Sequence, residues 1–281
     1  MEADLSEPRP GPLFVVSTPI GNMGDFSFRA VETLRSVAAV LAEDTRHTRH
    51  LLDRYEIEVP LVPYHEHNEA KTTPRLVERL LGGESLALVS DAGTPLLSDP
   101  GARLVRSAID AGVHVSPVPG ASALLAALVA SGLAADRFTF FGFLARKGAD
   151  RRSAIEELVA LRHAAVLYEA PARVGATLAE LAAAGADGRE TVVARELTKQ
   201  FEELRRGTVA QLAAYYEQAP PRGEVVIVIA GSSIPTGASE DQLRARAMAL
   251  RAEGRSARDI AAVLSAELGA PRNLAYRLAH E

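Results

Sequence analysis

The 281-residue sequence has no cysteine and no tryptophan. Without thiols there are no disulfides, thiolate nucleophiles, iron–sulfur clusters or cysteine-based zinc sites, which fits a reducing compartment such as the cytoplasm. Glycine is plentiful, yet none of the 21 pair as G-x-G, so the dinucleotide fingerprint is absent. G-x-x-x-x-G-K-[ST] and G-x-S-x-G are missing too, which excludes by motif a P-loop NTPase and a nucleophile-elbow hydrolase. The longest apolar stretch, Ala121 to Ala135, is broken by Ser122, Ser131 and Gly132 and falls short of the ~20 residues of a membrane span; no membrane partner is expected. Basic charge is not in excess: 31 Lys and Arg stand against 36 acids, a net −5, so any nucleic-acid partner must be held by local basic patches.

With 47% hydrophobic and 24% charged residues, the chain has ample apolar surface to fold, and its length suits two domains. Short β-branched runs alternate with stretches of helical period, the pattern of βαβ units and largely parallel sheets. Strands are read at Leu13–Ser17, Val37–Ala42, Leu86–Ser90 and Val113–Val118, with helices at Phe28–Arg35, Arg46–Tyr55, Arg75–Leu81 and Ala102–Ala111. A second series follows: strands at Phe138–Phe143, Ala164–Glu169, Thr191–Arg195 and Glu224–Ala230, helices at Ala121–Ser131, Arg151–Leu161, Val174–Ala183 and Val209–Glu217. The Gly/Ser/Pro cluster at Gly231–Gly237 reads as a linker, and Asp241–Glu253, Ser256–Leu268 and Arg272–His280 as three helices in a helix-turn-helix-like arrangement. The expected organisation is a disordered acidic tail (1–11), an α/β domain (12–123), a second α/β domain (124–231) and an all-helical extension (240–281).

Three loops stand at C-terminal strand ends of the first domain: Ser17-Thr-Pro-Ile-Gly-Asn22, Ser90-Asp-Ala-Gly-Thr-Pro95 and Pro117-Val-Pro-Gly-Ala-Ser122. In open α/β sheets ligands sit at that edge, and Gly93 and Gly120 are expected where backbone approaches a ligand closely. His47 and His50 share a helix face, but no carboxylate or cysteine at matching spacing completes a metal site. The segment Ala145-Arg-Lys-Gly-Ala-Asp-Arg-Arg152 follows the aromatic run Phe138–Phe143 and offers basic groups for phosphate; a solvated turn is the plainer alternative.

Taken in order, Thr18-Pro-Ile-Gly-Asn22, Ala42-Glu-Asp-Thr-Arg-His47, His67-Asn-Glu69, Val89-Ser-Asp-Ala-Gly-Thr-Pro95, Asp99-Pro-Gly101, Pro119-Gly120, Gly142-Phe-Leu144, Tyr168-Glu169, Ala194-Arg-Glu-Leu-Thr-Lys199 and Gly223-Glu224 resemble the small-subunit (16S) ribosomal RNA cytidine 2′-O-ribose methyltransferases of the tetrapyrrole-methylase superfamily. The resemblance runs from about Leu13 to Gly231 and extends to the helical tail. It implies two α/β domains with S-adenosylmethionine (SAM) in the cleft between them, no metal, a homodimer, and ribosomal RNA or an assembled small subunit as partner. Carried over by position, it assigns cofactor contacts to Pro19, to Ala92, Gly93, Thr94 and Leu97, to Ser122 and Ala123, and to Tyr168, Ala194 and Gly223; Thr94 stands where relatives carry an acid. Ala121 and Ala172 depart from the usual pattern, the latter where many relatives have histidine. Polar groups expected at the cleft include Glu43, Asp44, His47, Arg173 and Glu196, with Arg46, Glu169 and Lys199, each just beyond a strand, as candidates for catalysis.

Two rival readings stand beside this one. A superfamily relative acting on a tetrapyrrole precursor would share the cofactor loops but have no use for Arg46, the basic loop or the tail. A non-catalytic RNA-binding or assembly protein would use the basic loop and tail alone.

Overall fold

The computed structural model describes residues 9–232 and 240–281. Most of the acidic tail and of the linker read at Gly231–Gly237 lies outside the described residues. The elements are β1 (Leu13–Val16), α1 (Phe28–Ser36), β2 (Ala39–Ala42), α2 (Thr45–Arg54), β3 (Leu61–Pro63), α3 (Glu69–Leu81), β4 (Leu86–Val89), α4 (Ala102–Asp110), β5 (Val115–Val118), α5 (Ala123–Ser131), β6 (Phe138–Phe143), α6 (Ala149–Ala160), β7 (Ala164–Glu169), α7 (Val174–Leu181), β8 (Glu190–Arg195), β9 (Glu203–Thr208), α8 (Val209–Gln218), β10 (Val225–Ile229), α9 (Glu240–Ala252), α10 (Ala257–Leu268) and α11 (Arg272–His280).

The first sheet has the order β3-β2-β4-β1-β5 and every pairing is parallel. Because successive strand residues face opposite sides, Val16, Val40, Ala42, Ala87 and Val89 pack on α1 and α2, while Leu13, Ala39, Leu41, Leu86 and Leu88 pack on α3 and α4. Both faces are covered, as parallel sheets require. The chain reverses its direction of travel across the sheet between β4 and β1, which puts a crevice outside their C-terminal ends.

The second sheet has the order β6-β7-β10-β8-β9. It is mixed rather than largely parallel: only β6 and β7 run parallel, and β10 and β9 pair antiparallel with their neighbours. One face carries α6, α7 and α8. Against the other lie Leu124, Ala127 and Leu128 of α5, together with Ile20 from the loop after β1, so the first sheet's loops and the second sheet share a core. Ser122 caps α5, its Oγ accepting from Leu125 N, and Gly132 ends it in the left-handed region, as C-terminal glycines do.

Three elements differ from the sequence reading. β3 is a three-residue edge strand ending at Pro63, and β9, Glu-Leu-Arg-Arg-Gly-Thr, is a charged edge strand; neither has the apolar pattern of a central strand. Helix α3 begins at Glu69 and passes through Pro74, where the ring forfeits one hydrogen bond near the N-terminus.

The three C-terminal helices enclose their own core, built of Leu243, Leu250, Ile260, Leu264, Ala275 and Leu278 among others from the tail alone. A bundle this small has little stability to lose. Leu264→Ala, at a position with no exposure, is expected to cost about 2–5 kcal/mol. Hydrogen exchange should then show α9–α11 opening while the amides of both sheets keep their protection.

Candidate active site

The three loops that follow β1, β4 and β5 are fastened to one another. Thr18 and Gly93 exchange backbone hydrogen bonds, N to O, at 2.9 and 3.1 Å. The Thr94 hydroxyl donates to Ala121 O at 3.2 Å and lies 3.0 Å from Ser17 Oγ. Thr18 Oγ1 donates to Ser90 O at 3.2 Å. Gly93 has φ +81°, and a Cβ there would meet Ile20 Cγ2 at 3.2 Å. Leu96 and Ser98 also adopt positive φ, at 73° and 75°, a conformation that costs free energy outside glycine and concentrates at binding sites.

Above these loops, between the two sheets, lies a cavity of about 480 Å³, within the ~300–1,000 Å³ of small-molecule sites. Its floor is Ala92, Gly93, Thr94 and Leu97; Phe143, Tyr168, Gly223 and Val226 close it from the second sheet. Glu43, Asp91, Asp99, Glu169 and Glu224 line it, and among the described residues no Lys, Arg or His does. Burial pushes the Asp99 carboxyl up to about 6, the negative charges of Glu43 and Asp91 adding to the rise and a Ser90 hydrogen bond opposing it. Glu43 is raised as well, first by burial and then by Asp91.

A second, smaller cavity of about 210 Å³ adjoins the first, sharing Ile20, Asp91, Ala92 and Glu224 as its wall. Pro19, His47, His50 and Lys199 face it. Asp44 caps α2, its carboxylate accepting from Arg46 N and His47 N, and its own N–H donates to Asp91 Oδ1 at 3.2 Å.

The model of the tetrapyrrole (corrin/porphyrin) methylases matches residues 12–213. The chain belongs to this family. It is 44% identical to the ribosomal RNA small subunit methyltransferase I of Synechocystis sp. over 96% of this chain and 98% of that protein. With the protein of the same name from Xylella fastidiosa it shares 48% over 95% of this chain and 98% of that one. Among solved structures, the uroporphyrin-III C-methyl transferase of Thermus thermophilus complexed with S-adenyl homocysteine superposes with a TM-score of 0.56 at 17% identity, over 78% of this chain and 97% of that one. That likeness is one of fold.

Of the positions carried over by resemblance, Ala92, Gly93, Thr94, Leu97, Ala123, Tyr168 and Gly223 converge on the larger cavity of this methylase, and Pro19 on the smaller. Two do not reach either. Ser122 is the buried cap of α5, and Ala194 is buried in the core between α5 and the second sheet. Gly120 lines neither cavity, and a Cβ there would sit 3.0 Å from Ser17 Cβ.

The candidates for catalysis part company. Arg46 faces neither cavity; its side chain is 90% exposed and pairs with Asp44 at 3.4 Å. Lys199 does face the smaller cavity, its ammonium 3.1 Å from Glu196 and 3.0 Å from Glu224. Burial alone would lower its pKa, but the hydrogen bonds to Glu224 and Glu196 prevail and raise it. Glu169 is not an exposed strand-end charge: its side chain has no exposure, Oε1 lies 3.1 Å from Arg173 Nε and accepts from Ala170 N, and Oε2 accepts from Thr177 Oγ1 at 2.6 Å. Thr177 in turn accepts from Arg151, which also binds Glu180 and Ala145 O. Arg151 is therefore committed inside the fold, and only Arg146, Lys147 and Arg152 of the basic loop are exposed.

The acid cluster was reachable from the sequence only in part. Asp91 and Asp99 stand inside motifs already singled out, but nothing local shows that they meet Glu43 across two strands. Because Glu169 anchors α7 through Thr177 and holds Arg173, which donates to Leu144 O, Glu169→Ala is expected to destabilise the protein by about 2–3 kcal/mol, from buried donors left without their acceptor. Urea denaturation should show this, with Glu169→Gln losing less because it keeps an oxygen toward Thr177.

Proposed function

We propose that this methylase transfers a methyl group from SAM to the ribose 2′-hydroxyl of a cytidine in small-subunit ribosomal RNA. The observation that carries the reading is the larger cavity: loops held close by hydrogen bonds, an apolar floor, and carboxylates with no basic side chain among its described lining residues. That lining suits a ligand with a cationic centre and an apolar body, and its size suits a nucleoside. When bound, SAM supplies a methyl group on a cationic sulfur, already activated for transfer.

The residues that would hold it are Ala92, Gly93, Thr94, Leu97, Ala123, Tyr168 and Gly223, with Glu43, Asp91 and Asp99 facing its positive charge. Phe143 and Tyr168 wall the cleft on the side of the second sheet, and the fastened loops would hold donor and acceptor in one geometry, where much of such a reaction's acceleration arises. The hydroxyl proton leaves to a carboxylate of the cavity. RNA is favoured over a tetrapyrrole precursor because relatives 44% and 48% identical over nearly the whole chain are named ribosomal RNA small subunit methyltransferase I. Exposed Arg146, Lys147, Arg152 and Arg272 are the proposed outer phosphate contacts. Arg277 contributes less, being paired with Glu240 at 2.8 Å. Among the described residues no helix is long and apolar enough to cross a membrane, and we expect a homodimer acting in the cytoplasm.

Two measurements follow. Mapping ribose methylation in small-subunit RNA from a strain lacking the protein should show one cytidine unmethylated, restored by the wild-type gene; an unchanged map overturns the reading. SAM affinity should also rise with pH. Asp99 is largely neutral below about 6 and charged above it, and the charged form attracts the sulfonium. Calorimetry from pH 5 to 7.5 should show the dissociation constant falling through about 6, and Asp99→Asn should flatten that dependence.

A further inference from the structure

The two compartments of the cleft differ in their side chains. Both share the carboxylates Asp91 and Glu224, but only the smaller adds His47, His50 and Lys199, the only cationic or imidazole side chains among the described residues lining either. His47 and His50 lie one turn apart on α2, both exposed at their residues, so their rings stand on one helix face. The Lys199 stem is laid across Gly21, where a Cβ would come within 2.4 Å of its Cγ. Its loop is held in place by Thr198 Oγ1, which accepts from Asn22 N at 3.0 Å. Glu196 and Glu224 take two of the three ammonium donors, leaving one for a further acceptor.

We infer that the smaller compartment is the phosphodiester subsite for the acceptor nucleotide. His47, His50 and Lys199 hold the phosphate, and the ribose hydroxyl is thereby delivered to the wall of Ile20, Asp91, Ala92 and Glu224 that both compartments share. This rests on the methyl-transfer reading above. Transfer requires the hydroxyl and the methyl carbon within about 3–3.5 Å, so a donor in one compartment and an acceptor in the other must meet at the common wall. At about 210 Å³ the space suits a sugar–phosphate unit rather than a second cofactor. The two histidines donate to phosphate oxygens through ring N–H groups, and Lys199 offsets the charge of Glu224 that would otherwise repel the anion.

The test is the double variant His47→Ala/His50→Ala, two exposed helix positions where alanine favours the helix. Arg54→Ala on the same helix, away from both compartments, is the control for loss of surface charge. With small-subunit particles as substrate, the double variant should raise KM for the particle at least fivefold, while the dissociation constant for SAM stays within a factor of two and Arg54→Ala matches wild type. An unchanged KM, with wild type active, overturns the subsite. A SAM dissociation constant that weakens as much as KM overturns it too, because the compartment would then hold the carboxylate end of the donor. Failure of the wild-type protein to methylate the particle, despite binding SAM, overturns the underlying reading instead, so the two failures are told apart.

Discussion

The Thr94 hydroxyl, shared between Ser17 Oγ and Ala121 O, and the backbone pair of Thr18 with Gly93 are the contacts on which the cleft depends. Strands β4, β1 and β5 are neighbours in the sheet, so their C-terminal loops emerge side by side, and these hydrogen bonds turn three separate turns into one surface. The closeness has steric conditions. Gly93 takes a left-handed backbone, and Gly120 leaves room for Ser17. The chain then passes directly from the third loop through the Ser122 cap into α5, whose Leu124 and Leu128 are buried against the second sheet. The fastening of the loops therefore also sets where the second sheet closes over the cavity.

Buried acid appears in the protein in two forms with different consequences. Glu169 is surrounded by donors: a threonine hydroxyl, a backbone N–H and the Arg173 guanidinium. Its charge is satisfied within the fold, and the network continues through Arg151 to Glu180. Asp99 faces the opposite situation, half-buried with Glu43 and Asp91 as neighbours. Burial first, and then their like charges, raise its pKa, and among the described residues no basic group lines the cavity beside it. Such an arrangement costs folding stability once the acids ionise, since charged groups in low dielectric repel one another and lose water. Its persistence makes sense if a cation is meant to enter. The first form builds the frame; the second creates the binding field.

What could be read from the sequence follows the physics of each element. Strands β1, β2 and β4 are short apolar runs bounded by glycine, proline or polar residues, and β5 lies in a valine-rich stretch after Gly112, so their positions were visible, as were the loops made of proline next to glycine. β9 was not, because an edge strand of Glu, Arg and Thr is stabilised by its pairing with β8 rather than by its own pattern. The N-terminal turn of α3 was hidden behind Pro74. At the site, residues within the special loops were legible, whereas the burial of Glu169 and Arg151 was not: both lie where a solvated charge is the ordinary expectation, and only the packing of α7 against β7 and the turn at Ala145 reveals them as internal. His47 was expected at the cleft and lines the smaller cavity; His50, one turn on, was not singled out for it and faces that cavity because α2 follows β2 at the crevice edge.

Thr94 stands where the resemblance places an acid, and the geometry gives the exchange a rationale. Threonine can donate to the Ala121 carbonyl while sharing its oxygen with Ser17 Oγ. An ionised carboxylate at the same place has no proton to donate and would face that carbonyl oxygen with like partial charge. Neutralising the floor of the cleft thus permits the tight junction of the loops, and negative charge is supplied instead by Glu43 and Asp99 beside the loops and by Asp91, whose carboxylate takes no part in the hydrogen bonds that fasten them. Binding field and loop geometry are in this way carried by different residues, so charge at the wall can be altered without loosening the floor, whereas a change at Thr94 would disturb the junction on which both domains meet.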